Sequence, residues 1–172
     1  MAKNKKGQIM GLPFQLIFSI ILIAIFLYSA IVGINYFMER SQQAQIGQFA
    51  VNLESKVNIA WQAIEKSESY SFSLPKKIEK VCFANLNAAA YNTSICPEFE
   101  YYRDVAKSRG ANMFFCPPEP VYKTGAPVYY SIDCEGNDCL KVKNHPYCIE
   151  NKNGIVSFSL KKEIGDPYVY LE

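Results

Sequence analysis

Charge is missing from one long stretch of this chain. Between Lys6 and Glu39 lie 32 residues, Gly7 to Met38, without a formally charged side chain. Histidine is nearly absent too, with His145 the only one. A Gly-rich phosphate loop, a G-x-S-x-G elbow and an H-E-x-x-H helix are all lacking. Their absence removes the common phosphate-binding, acyl-transfer and zinc-hydrolase signatures. A single histidine restricts acid–base catalysis and metal ligation, and His145 precedes Pro146 in a K-N-H-P turn. We therefore expect a protein that is not an enzyme and that needs no cofactor and no metal. A concentrated basic surface is missing as well. Beyond Met38 the chain carries 15 basic and 16 acidic residues. Nucleic acid is excluded as a partner, because phosphate binding needs clustered positive charge.

Inside the uncharged stretch, Leu16 to Phe37 reads LIFSIILIAIFLYSAIVGINYF. As a helix these 22 residues would span roughly 33 Å, enough for a hydrocarbon core of about 30 Å. A serine in such a helix can hydrogen-bond to its own preceding turn. A domain of this size rarely buries a helix that is apolar on every face. A secretory signal would have a shorter apolar region, about 7–15 residues, followed by small residues at a cleavage site. Neither condition is met, so the run predicts a retained transmembrane helix over residues 13–37, with membrane lipid as its partner. Lys3, Lys5 and Lys6 precede it, and Glu39 and Arg40 cancel after it. The positive-inside tendency then places the leader, residues 1–12, in the cytoplasm and the rest outside the cell membrane.

The cysteines point to the same topology by a separate route. Cys82, Cys96, Cys116, Cys134, Cys139 and Cys148 all follow the apolar run. An even number in a loop-rich region reads as a disulfide framework in an oxidising space. Spacing favours Cys96 with Cys116, and Cys139 with either Cys134 or Cys148. Zinc is disfavoured, since the short spacings are C-x4-C and C-x8-C and paired C-x2-C is lacking. In D-C-E-G-N-D-C, Asp133, Glu135, Asn137 and Asp138 supply calcium-type oxygens. They follow no EF-hand spacing, and the same residue types make a tight loop. Asn92-Thr93-Ser94 is a glycosylation sequon.

The periodicity then sets the architecture. Ile46, Phe49, Ala50, Leu53, Val57, Ala60, Trp61 and Ile64 recur at steps of three and four, an amphipathic stripe. It predicts a helical spine over residues 38–68, continuous with the apolar helix for about 55 residues in all. Gly33 and Gly47 are the positions where a kink would fall. Period-two alternation follows in 67–75 and 77–84, with further strands at Met113–Cys116, Pro127–Ile132 and Cys139–Lys143. Tyr147–Glu150 and Ile155–Leu160 read as a hairpin through N-K-N-G, and Tyr168–Leu171 as a terminal edge strand. Tyr101 to Arg109 reads as a short helix. The predicted class is α+β: a long N-terminal helix, half transmembrane and half amphipathic, with a disulfide-stabilised antiparallel β-sheet head over residues 69–172.

Lys6-Gly7-Gln8-Ile9 ahead of an apolar helix resembles the class III signal of archaeal type IV pilins. In that family a prepilin peptidase cuts after the glycine, which implies cleavage between Gly7 and Gln8. The resemblance also implies that residues 8–37 pack against copies of the chain or other pilin-like subunits. It covers residues 5–37. Leu12 stands at the fifth mature position, where the family often has glutamate, and Met10 stands at the third, where serine is common. These departures point to a minor or non-polymerising subunit acting in surface assembly or adhesion. The competing expectation is a bitopic membrane protein that keeps its N-terminus and displays the extracellular head as a binding module.

Overall fold

The computed structural model describes residues 11–86, 96–136, 139–142 and 146–172. The chain divides into two compact units, Met1–Glu39 and Arg40–Glu172. In the first unit every described residue is helical, and the side chains from Phe14 onward are exposed. This is the start of α1, which runs from Gly11 to Gln62 without interruption at Gly33 or Gly47.

Among the described residues, the second unit contains the rest of α1, two further helices and eight strands. The strands are β1 (Lys66–Ser73), β2 (Lys80–Phe83), β3 (Met113–Cys116), β4 (Tyr129–Tyr130), β5 (Leu140–Val142), β6 (Tyr147–Glu150), β7 (Ile155–Lys162) and β8 (Val169–Leu171). The helices are α2 (Glu100–Ser108), entered through a 3-10 turn at Pro97–Phe99, and α3 (Glu119–Thr124). The strands form two four-stranded sheets, in the orders β1-β7-β8-β5 and β4-β3-β2-β6. All pairings are antiparallel except β5 with β8. The α+β class expected from the sequence is the class observed.

The helical stripe is what the sheets share. Ile46, Phe49, Ala50, Leu53, Val57 and Ala60 are buried in one core with Val156, Phe158 and Leu160 of the first sheet and Val81, Phe83, Met113 and Phe115 of the second. Phe49 sits edge-on to Phe72 of β1, with ring centroids 5.5 Å apart, and tilted against Phe115 of β3 at 6.1 Å. A second cluster covers the other face of the β2–β3 pair. There Cys82, Phe114 and Cys116 pack with Phe99, Ala106 and Ala111, and Phe99 stacks on Phe114 at 3.9 Å between centroids. All four residues of β3 are therefore buried, since both faces of this strand are covered.

Several expectations are corrected here. The helix ends at Gln62, not Glu68, and Lys66–Glu68 open β1. Ile64, placed on the stripe by its spacing, lies past the helix end and is exposed. The strand expected over Pro127–Ile132 is reduced to Tyr129–Tyr130. The expected hairpin of β6 and β7 does not form a ladder; β6 pairs with β2, and β7 with β1 and β8. Asn151 diverts the chain at that point. Its backbone N–H donates to the Glu79 carbonyl at 2.7 Å. Its side-chain amide donates to the carbonyls of Pro75 and Ile78. The turn survives, with Asn153 and Gly154 at positive φ, but it joins two sheets. A side chain at Gly154 would meet the Leu74 carbonyl at 3.2 Å, so glycine is required by space as well as by φ. Finally, β8 is not an edge strand but lies between β7 and β5.

Candidate functional site

Three features of this chain bear on function: the apolar half of α1, the disulfide framework, and one groove in the second unit. The first is built from composition. Leu16, Ile17, Phe18, Ile20, Ile21, Ile23, Phe26, Leu27, Ile31 and Phe37 face outward on all sides of α1. Two of its polar side chains are bonded within the helix itself. The Ser19 hydroxyl donates to the Gln15 carbonyl at 2.8 Å, and Ser29 to Ile25 at 2.9 Å. Both serines are thereby satisfied within the helix, as an apolar medium requires. Within Phe14–Gln62 the helix is long and apolar enough to cross a membrane.

The six cysteines form three disulfides, Cys82–Cys148, Cys96–Cys116 and Cys134–Cys139, and none is free. Of the two partners left open for Cys139, the structure has Cys134. Register accounts for the longest bridge, since Cys82 of β2 lies directly opposite Cys148 of β6. Cys96–Cys116 ties the 3-10 turn before α2 to the end of β3. Cys96, Glu98 and Cys116 are close enough to share an ion, but both thiols are consumed by that bridge. In the acidic loop, the Asp133 carboxylate accepts the Gly136 N–H at 3.0 Å, a turn-forming contact. Gly7, Gln8, Met10, Asn92, Asn137, Asp138 and His145 lie outside the described residues.

The third feature was not legible in the sequence. A groove of about 600 Å³ opens between α2 with the residues just past it, the end of α3, and β4. Tyr102, Tyr122, Tyr129 and Tyr130 line it, with Arg109 and Ser131. Among the described residues Arg109 is the only charged one lining it, and its guanidinium lies over the Tyr129 ring, 6.0 Å from the centroid. Burial raises the Tyr130 phenol above its ordinary pKa of 10.0, so it remains a hydrogen-bond donor at neutral pH. The floor is held locally. Gly125 ends α3 in the left-handed conformation, and its carbonyl accepts a hydrogen bond from the Gln43 side chain of α1 at 3.3 Å. The Asn112 side chain bonds both backbone groups of Ile132, at 2.7 and 2.8 Å, acting as an extra rung beyond β4. Abundant tyrosine was the only sequence signal, and it did not separate groove residues from core residues.

These features define a class: an α+β head with internal disulfides, preceded by a single helix able to cross a membrane. No family model, no curated protein and no solved structure matches the chain.

Proposed function

We propose that this chain is a single-pass, membrane-anchored surface protein, a minor or non-polymerising type IV pilin-like subunit acting in surface assembly or adhesion. One observation carries the reading. A single helix changes from wholly exposed and apolar over Phe14–Met38 to one with a single buried stripe over Ile46–Ala60 at the core of a disulfide-bonded head. Lipid or neighbouring helices are the two surroundings that suit the first half, and water the second. Disulfides favour an oxidising compartment for the head, which agrees with the orientation given by Lys3, Lys5 and Lys6. The K-G-Q-I sequence supports recognition by a prepilin peptidase, and Leu12 in place of glutamate supports a subunit that does not build a fibre by itself.

The test is N-terminal sequencing of the protein purified from its native membrane. A mature start at Gln8 is the expected result. A chain that retains Met1 or Ala2 refutes the pilin-like reading and leaves a bitopic protein with a displayed head. Protease treatment of intact cells should degrade residues beyond Met38; complete protection of the head refutes the orientation.

A further inference from the structure

We propose that the tyrosine-lined groove between α2, α3 and β4 binds a carboxylated sugar, with pyranose faces on the tyrosine rings and the carboxylate on Arg109. The proposal deepens the adhesive role given above, but the groove lies wholly within the second unit. It is therefore indifferent to whether the Gly7–Gln8 bond is cut.

The lining chemistry argues for the ligand. At about 600 Å³ the groove falls in the usual range for small-molecule sites, about 300–1,000 Å³. Its aromatic residues are all tyrosines, which pair a flat apolar face with a hydroxyl. The C–H face of a pyranose is apolar and slightly positive and its rim is hydroxylated, so the two surfaces complement each other. Among the described residues, no hydrogen-bond partner takes up the hydroxyls of Tyr102, Tyr122, Tyr129 or Tyr130, and no carboxylate pairs with Arg109. Tyr102, Tyr122, Tyr129, Tyr130 and Arg109 all line the groove. Tyr122 is 66 % exposed, as suits a ring that waits for a stacking partner. A lone guanidinium selects an anion, and its planar fork matches a carboxylate in two parallel hydrogen bonds. An extended peptide is less well served. β4 has only two residues, Tyr129–Tyr130, too few for strand addition along its open edge.

The experiment uses the full chain in detergent micelles and trigalacturonic acid as the probe, read by saturation-transfer NMR and calorimetric titration. We expect saturable binding with transfer to the ring C–H protons. Arg109→Ala should weaken it about 10- to 100-fold, the usual loss for a charge-assisted hydrogen bond. Tyr122→Ala should weaken it as well, and neutral cellotriose should bind at least about tenfold less tightly than the acidic probe. Both substituted residues are exposed, so unchanged thermal unfolding is the check that the variants are folded. Three results overturn the proposal: no saturable binding at millimolar trigalacturonate, equal binding by Arg109→Ala, or equal binding of triglutamate, which would mean that charge alone is read. N-terminal sequencing and this titration can each fail without the other.

Discussion

Replacing Phe49 by alanine should destabilise the second unit more than any other single change on α1. Phe49 is 2 % exposed and meets Phe72 of one sheet and Phe115 of the other. Losing the transfer of a buried phenylalanine costs about 2–3 kcal/mol. Two lost ring contacts add about 0.5–1.5 kcal/mol each. Part of the gap will close by relaxation, so we expect about 4 kcal/mol, within the usual range for this substitution. That is a large share of the roughly 5–15 kcal/mol available to a folded domain. The assay is denaturant unfolding of the full chain in detergent, with disulfides intact. Trp61 is the only tryptophan, and its indole N–H donates to the Pro167 carbonyl at 3.1 Å, so its fluorescence reports the helix end of the core. Phe49→Leu should cost about 1–1.5 kcal/mol. Val51→Ala, on the exposed side of the same turn, should stay within about 0.5 kcal/mol. If Phe49→Ala falls within about 1 kcal/mol of Val51→Ala, the helix stripe is not what joins the two sheets.

Other outcomes follow from local geometry. Removing Cys82 and Cys148 as a pair opens a loop of sequence separation 66, against 5 for Cys134–Cys139. Chain entropy then predicts losses of about 4.4 and about 2.1 kcal/mol, measurable as the difference in unfolding free energy between the two double-alanine variants. Asn112→Ala should cost about 2 kcal/mol by stranding both backbone groups of Ile132, and Asn112→Asp should be worse, because it sets a carboxylate against the Ile132 carbonyl. Both are read by thermal unfolding. The Asp166 carboxylate accepts hydrogen bonds from the Tyr168 backbone N–H and the Tyr170 hydroxyl, which hold it below its ordinary pKa of 3.8. Its folded-state pKa is depressed, so its contribution is complete above the unfolded value and lost as pH falls through the lower, folded one. Acid titration of unfolding should therefore show a decline below about pH 4 that is reduced in Asp166→Asn.

Much of this molecule is decided by local patterns. The 32 residues from Gly7 to Met38 carry no formal charge, and the apolar run within them reads as a helix long enough to cross a membrane before any fold is known. The three-and-four spacing from Ile46 to Ala60 names the buried face of α1 before any partner is known. Val156, Phe158 and Leu160 declare the inner face of β7 in the same way, by a period of two.

What the tertiary structure alone decided is which of these faces and edges meet. Ladder partners are chosen by the whole core and by single side chains far along the chain. Asn151 turns an apparent hairpin into a bridge between two sheets, and Cys148 finds Cys82 across 66 positions because β2 and β6 share a register. The groove is the plainest case. Tyr102, Tyr122 and Tyr129 belong to separate elements and Arg109 caps the helix of Tyr102, and no spacing in the sequence records their convergence. Periodicity is a property of one element in its own frame; a site made at the junction of three elements exists only once packing has set them side by side.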